Sequence, residues 1–441
     1  MRFRRYPSMK GSEVEWIGDM PSHWRLERFK YLFEERNERG FPNEPLLAAT
    51  QTRGVVRKED YENRTVMALK DLENLKLVRV GDFVISLRSF EGGIEYAHVQ
   101  GIISPAYTIL RPRNDVVRGY YARLFKSPGF IENLNLYTTG IRDGQNIDYK
   151  AFRHSLVPVP PVDEQKAIAE FLDRRVEQLD SLVKKGQLFV ERLQEYRQAL
   201  ITQAVTRGLD PNVPMKDSGI PWLGTVPKHW RVVLLKHLTT KIGSGKTPRG
   251  GSEVYVDDGI MLIRSMNVHD SGLKLDDVVY IPPEVDEAMA ATRVKPNDVL
   301  LNITGASIGR TCLVPPGLPQ ANVNQHVCIV RPKFGVLPEY LMYALQSACV
   351  RAQIRATENG ASREGLNFQQ VGSLVISLPE NSLDEQRDIV EFLRRKTRSI
   401  DATINQIEQQ IRLIGVYRQA LITAAVTGKI DVRQEVQEHA G

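Results

Sequence analysis

Apolar positions at three-four spacing run through two long stretches of the chain. Ile168, Leu172, Val176, Leu179, Leu182, Phe189, Leu193, Tyr196 and Leu200 form the first set, and Ile389, Leu393, Ile400, Ile407, Ile414, Tyr417 and Leu421 the second. That spacing gathers each set on one face of an α-helix and leaves polar residues around the rest. Start and stop signals bracket both stretches. Pro160 and Pro161 end any earlier helix, Asp163 can accept first-turn amides, Ser382 and Glu385 have capping-box spacing, and Gly208 and Gly428 follow the last turns. An unbroken helix over 163–205 would be about 64 Å long at about 1.5 Å per residue. Gly186 and Thr403 fall on seam positions, so the pattern also allows a break near the middle.

The two stretches are copies of one another. Tyr196-Arg197-Gln198-Ala199-Leu200-Ile201-Thr202 returns as Tyr417-Arg418-Gln419-Ala420-Leu421-Ile422-Thr423, and Asp163-Glu164-Gln165 returns as Asp384-Glu385-Gln386, both at an offset of 221. Aligned without gaps, 163–210 and 384–431 share 20 identities in 48 positions, too many for unrelated helices, so the chain is an internal duplication. The duplication reaches beyond the helices. Trp16-Ile17-Gly18 through His23-Trp24-Arg25 matches Trp222-Leu223-Gly224 through His229-Trp230-Arg231. Gly81-Asp82-Phe83-Val84-Ile85-Ser86 lies opposite Asn297-Asp298-Val299-Leu300-Leu301-Asn302, and Ile109 to Pro112 opposite Ile329 to Pro332. These runs are short, rich in Val and Ile, and bounded by turn residues, which predicts strands. Tyr120 to Phe125 and Tyr340 to Leu345 predict one short helix in each half. The expected fold is therefore α/β (α+β): two tandem globular domains, each followed by a long helix, with the helices pairing as an antiparallel coiled coil. The boundaries read as 1–157, 158–210 for the central helix, 211–378, and 379–441 for the last helix and tail.

Composition narrows the class. A chain of 441 residues with 42% hydrophobic and 25% charged residues is globular and long enough for several cores. It contains no apolar run near the roughly 20 residues that span a bilayer, and its basic start lacks a signal-peptide core. A cytoplasmic protein without membrane contact is the expectation. Cys312, Cys328 and Cys349 are odd in number and widely spaced, which argues against a disulfide framework and a zinc site. The net charge of +6 permits a polyanionic partner without requiring one.

Catalytic signatures fail on inspection. Gly243-Ser244-Gly245-Lys246-Thr247 has the end of a phosphate-binding loop, but Thr240 stands where its first glycine belongs and Pro248 interrupts the helix that should follow. Pro282-Pro283 and Pro315-Pro316 lack the flanks of an amino-methyltransferase motif, and no Ser, Cys or His stands in a recognisable nucleophile context. A shared frame with diverged loops suits an object that presents two different things in one geometry. Duplex DNA with two half-sites at a fixed separation has that form.

At this point the residues resemble a known family, the specificity subunits of type I restriction-modification systems. The resemblance runs from Trp16 to about Asp431. It is carried by Pro21-Ser22-His23-Trp24 and Pro227-Lys228-His229-Trp230, the Gly-Ser-Gly-Lys-Thr-Pro run at 243–248, Asn324-Gln325-His326, and the two helices opened by Asp-Glu-Gln and closed by Tyr-Arg-Gln-Ala-Leu-Ile-Thr. It implies two target recognition domains that read a split sequence in double-stranded DNA, with the helical pair between them. It also implies partners: two modification subunits that methylate adenine, and in some complexes restriction subunits that translocate and cut DNA. The chain itself would be non-catalytic and carry no cofactor, with S-adenosylmethionine, ATP and magnesium on the partners. The reading from another class is a coiled-coil adaptor that binds proteins only. It would not need two diverged globular domains, and retention on DNA-cellulose at low salt separates the two.

Polar residues in unmatched or glycine-rich loops are the candidates for DNA contact. In the first half these are Arg88, Ser89, Glu91, Arg142, Asp143, Gln145 and Asn146. In the second they are Lys246, Thr247, Arg249, Arg264, Asn267, Thr304, Ser307, Ser362, Arg363 and Asn367. Arginine pairs with guanine and Asn or Gln with adenine in the major groove, although solvated turns use the same residue types. Asn324, Gln325 and His326 face Ser104, Pro105 and Ala106 in the other half and serve equally well as strand caps. On the helices, duplicated Tyr196, Arg197, Gln198, Tyr417, Arg418 and Gln419 are candidates for docking two equivalent partners, with helix packing as the alternative.

Overall fold

The computed structural model describes residues 3–61, 71–140, 146–358, 365–380 and 382–437. The chain forms two units, Met1–Gly186 with Gln409–Gly441, and Gln187–Glu408. The long helices are Val162–Arg207 and Leu383–Val426, and neither breaks, at Gly186 or at Thr403. Each is divided between the units. In the first unit Ile168, Phe171, Leu172 and Val176 share a core with Leu421, Ile422, Ala425 and Val426. In the second, Ile201, Ala204 and Val205 share a core with Ile389, Val390 and Leu393, and Val190 packs with Ile400 and Ile404. Within either unit the start of one helix lies against the end of the other, which is antiparallel pairing. An ion pair sits on each seam: Arg197 Nε to Asp401 at 2.9 Å, and Arg418 Nη1 to Asp180 at 3.6 Å. The 221-residue offset maps one pair onto the other with the helices exchanged.

The globular parts repeat the same frame. In the first unit four antiparallel strands run in the order Phe33–Arg36, Thr108–Pro112, Phe83–Ile85, Glu95–Tyr96. In the second the order is Thr239–Ser244, Val327–Pro332, Val299–Asn302, Thr311–Leu313. The sequence-matched runs occupy matched strands. Gly81 and Asn297 both take a left-handed conformation, φ 90° and 69°, ahead of an aspartate. Asp82 and Asp298 then accept the turn amides of Arg79 and Lys295 at 2.9 and 2.7 Å. The predicted short helices form as Arg118–Leu124 and Pro338–Gln346. Strand Arg25–Arg28 pairs with Leu156–Val159, and Trp230–Leu234 with Val375–Pro379, so the opening of each half is hydrogen-bonded to the strand that feeds its long helix.

The duplicated Asp-Glu-Gln triplets join frame to helix. Glu164 accepts the Trp24 indole N–H at 2.9 Å and the Tyr6 hydroxyl at 3.1 Å, and lies 2.6 Å from His23 Nε2. Glu385 accepts Trp230 at 2.8 Å and lies 3.0 Å from His229 Nε2. Both tryptophans are buried. Gln165 accepts the Val117 amide at 2.9 Å and Gln386 the Leu337 amide at 3.0 Å, satisfying a free donor at the start of each short helix. From those short helices Tyr120 donates to Val426 O at 2.7 Å and Tyr340 to Val205 O at 3.4 Å, at the ends of the helices that close each unit.

One matched position differs in chemistry. Lys126, after the first short helix, donates to Gln51 O, Gly92 O and Glu95 Oε1 at 3.1, 2.7 and 2.6 Å. Gln346, its counterpart, donates to Asp270 O and Thr311 O at 3.0 and 2.7 Å. Glu95 is 1% exposed, and its Oε2 has no partner among the described residues. Burial pushes its carboxyl up to about 7, against the opposing pull of Lys126.

Two stability outcomes follow from this geometry. Glu164→Ala strips the acceptor from the buried Trp24 and Tyr6 donors and is expected to cost about 2–4 kcal/mol, whereas Glu385→Ala, at a carboxylate 30% exposed, should cost about 1–2 kcal/mol. Urea unfolding followed by tryptophan fluorescence measures both, and losses below about 0.5 kcal/mol in each would refute the role assigned to these carboxylates. For Glu95 the folded carboxyl holds its proton to higher pH than the unfolded one. Its contribution is therefore fully present below the unfolded pKa and is lost as pH rises through about 7. Relative to Glu95→Gln, the unsubstituted protein should lose up to about 3 kcal/mol between pH 4.5 and 8; parallel profiles would show that Glu95 titrates normally.

Candidate nucleic-acid interface

The strands bring a set of loops to one end of each sheet. In the second unit Ser244, Asn302, Val327 and Thr311 stand together there, because Ser244 pairs with Cys328, Asn302 with Val327 and Leu301 with Thr311. Gly245 turns the chain away from the strand at a point where an added Cβ would lie 1.5 Å from Val323 O, so only glycine fits. It delivers Lys246, Thr247 and Arg249 to the surface, all exposed and with no side-chain hydrogen bond or ion pair among the described residues. The Gly245 amide donates to Asn324 O at 3.1 Å, Asn324 Oδ1 accepts the His326 amide at 3.1 Å, and His326 Nδ1 lies 2.5 Å from Thr304 Oγ1. The Asn-Gln-His run thus ties the 246–249 loop to the 304–309 loop.

Other candidates are used by the fold. Asn267 is 1% exposed; its side chain accepts the Arg264 amide and donates to Lys274 O, each at 2.9 Å. Arg264 is half-buried and donates to Asp277 O at 2.7 Å. Ser307 accepts Asn302 Nδ2 at 3.0 Å, which fixes the loop to the strand end. Asn367 caps the short helix Phe368–Gly372 by accepting the Gln370 amide at 2.9 Å. Ser362 and Arg363 lie outside the described residues.

The corresponding loop of the first unit carries Arg88, exposed and with no side-chain partner among the described residues. Ser89 is buried and accepts the Ser86 amide at 2.8 Å, while Glu91 is exposed and accepts Gln51 Nε2 at 2.7 Å. Asn146 is exposed on the hairpin Thr138–Thr139 with Asn146–Ile147. Arg142, Asp143 and Gln145 fall outside the described residues. Three basic residues escaped the sequence argument: Arg310, Arg351 and Arg355. Arg351 and Arg355 are one helical turn apart, and Arg310 follows Gly309; that spacing was the available signal.

On the helices Tyr196 and Tyr417 are 55% and 48% exposed, and Gln419 is exposed as well. Arg197 also donates to Asp270 O at 3.2 Å, and Gln198 donates to Gln346 O at 2.7 Å. Arg197, Arg418 and Gln198 therefore hold their own unit together. No group of three His, Cys, Asp or Glu side chains among the described residues is arranged to hold a metal ion, and no helix there is long and apolar enough to cross a membrane.

Similarity to known proteins agrees with this architecture. Residues 227–413 match the type I restriction modification DNA specificity domain. The chain is 25% identical over 311 residues to the type I restriction enzyme EcoBI specificity subunit of Escherichia coli, an alignment that spans 69% of this chain and 64% of that relative. It is 22% identical over 364 residues to the MjaVIII specificity subunit of Methanocaldococcus jannaschii, spanning 81% of each. In fold it is similar to a chain solved in a study of complex assembly and conformational transition of the type I R-M system, with a TM-score of 0.69 at 16% identity over 93% of this chain and 99% of that one. A duplicated frame, two long helices keyed to it by Asp-Glu-Gln, and these likenesses lead to one conclusion: the chain carries a type I restriction modification DNA specificity domain over 227–413 and is similar to type I restriction enzyme specificity subunits over most of its length.

Proposed function

We propose that this chain is the DNA-reading and scaffolding subunit of a type I restriction-modification complex, and that it is not itself an enzyme. Each recognition domain reads one half of a split duplex sequence. The observation that carries this reading is the contrast between what the two halves share and what they do not. The sheet order, the Glu164/Trp24 and Glu385/Trp230 keys and the helix seams are duplicated. The loops at the sheet ends differ: Ser86-Leu87-Arg88 in one, Asn302-Ile303-Thr304 in the other. A common frame fixes geometry, and divergent side chains reaching base edges supply two different specificities.

In this reading Arg88, Lys246, Thr247 and Arg249 are the described candidates free to meet DNA, and Asn146 is exposed as well. Ser89, Glu91, Arg264, Asn267, Thr304, Ser307 and Asn367 shape the loops. The exposed, duplicated Tyr196 and Tyr417 with Gln419 offer two equivalent docking points for modification subunits, which would bring S-adenosylmethionine. Restriction subunits would bring ATP and magnesium. The complex would work in the cytoplasm, where its DNA is.

The test is genome-wide adenine methylation by long-read sequencing in cells that express this chain with its modification subunit, against cells without it. A new split motif methylated on both strands is expected. Unchanged methylation by a soluble, assembled complex would leave a protein adaptor as the better reading. Exchange of 24–155 for a relative's segment should change one half of the motif and keep the other; a change in both would overturn the independence of the domains.

A further inference from the structure

The second unit contains a basic groove that the duplication does not require. It has a volume of about 260 Å³ and lies between the 306–310 loop and the helix Ala348–Glu358, with Asp270, Ser307, Arg310, Arg351 and Arg355 around Ile354. Asp270 binds Arg351, and its other oxygen accepts the Thr311 amide at 3.0 Å, so that arginine is held in place. Arg351 Nε is buried and has no partner among the described residues. Arg310 and Arg355 are exposed, and neither side chain has a hydrogen bond or ion pair among the described residues. Three guanidinium groups face one carboxylate, and like charges gathered this way repel unless an anion joins them.

The first unit shows that the frame does not need them. Gly93 and Gly309 occupy matched turns, with φ 78° and 84°, and Ser127 and Ser347 begin matched helices. On that alignment Arg310 stands opposite Ile94, which is 1% exposed, and Arg351 and Arg355 stand opposite Ile131 and Asn135. Where the first unit has the buried Ile94, the half-buried Ile131 and the uncharged Asn135, the second has three arginines. The groove lies beside the Thr304 to Gly365 bridge, at the sheet end that carries the 246–249 loop.

We propose that this groove seats a backbone phosphate of the DNA target, gripped by Arg310 and Arg355 with Arg351 fixed behind them by Asp270. Planar guanidinium groups pair with phosphate oxygens in two-point fashion, and such contacts position a duplex without reading its sequence. The inference rests on the DNA-reading function above and adds the phosphate-binding residues that set register in the second domain.

The test uses the assembled complex of this chain with its modification subunit and fluorescein-labelled duplexes, one with the split motif found by methylation sequencing and one with that motif scrambled. Anisotropy titrations run from 50 to 250 mM salt compare the unsubstituted chain with Arg310→Ala/Arg355→Ala and Arg310→Lys/Arg355→Lys. The alanine pair is expected to weaken both duplexes about 5- to 20-fold alike and to reduce the salt slope by about one, while the lysine pair keeps the slope. Thermal melts of both variants should match the parent, since the substituted side chains are exposed. Unchanged affinity and slope in the alanine pair would overturn the phosphate seat and leave DNA reading intact. A loss confined to the motif duplex would make these arginines base readers and also overturn it. An unsubstituted complex that binds neither duplex would overturn the DNA-reading function itself.

Discussion

The rest of the structure depends on one carboxylate per unit, buried in the first and half-buried in the second. Glu164 and Glu385 stand in the first turn of the long helices, where the helix N-terminus favours negative charge. Each receives the indole N–H of a tryptophan near the start of a globular half. A buried indole needs an acceptor and a half-buried carboxylate needs donors, so each is costly without the other. The pairing sets where a domain meets its helix. The neighbouring Gln165 and Gln386 reach the start of the short helix, whose tyrosine then reaches the end of the second long helix in that unit. Three side chains, a glutamate, a glutamine and a tyrosine, thus relay position from one helix through a domain to the other.

That relay explains why the closing motif is duplicated. Packing two helices by their apolar stripes alone would leave their axial register loosely defined, since Ile and Leu in a seam accept neighbouring holes. Arg197 is hydrogen-bonded to Asp401 in a partly buried pair, Arg418 lies 3.6 Å from Asp180 in a more exposed one, and the two repeat by the same offset as the helices. A register device of this kind favours one alignment over its neighbours more than it adds stability. Of the two uses open to the Arg-Gln pair, Arg197, Arg418 and Gln198 make contacts of the packing kind. Tyr196 and Tyr417 are the members of the motif that the helix pairing leaves exposed.

The frame was legible in the sequence because its signals are local and duplicated. Strand runs such as Phe83 to Ile85 and Val299 to Asn302 carry turn residues with the conformation that Gly81 and Asn297 must adopt. Helix ends announce themselves through proline, glycine and capping residues. The loop residues were harder to read, because Ser, Asn and Arg serve a turn and a ligand with the same atoms. Asn267 looks like an adenine reader in sequence and is an internal cap in the structure, satisfied by Arg264 N and Lys274 O. Arg264 likewise spends a guanidinium on Asp277 O. What separates such residues from Lys246 or Arg88 is whether a nearby carbonyl already satisfies them, and that partner is a consequence of the fold.

Divergence between the halves is concentrated where the frame tolerates it. Lys126 and Gln346 occupy one position and perform one task, tying a loop carbonyl to the end of the short helix, yet they impose different neighbours. Lysine pairs with Glu95 in the interior, beside the buried Ile94 and the half-buried Ile131. Glutamine is neutral, so Asp270 is left free to face outward and hold Arg351 instead. The exchange at this junction goes with an uncharged neighbouring surface in the first unit and an arginine-lined one in the second. Two domains can then present unlike surfaces to a partner from the same backbone, without any change in the keys that fix them to their helices.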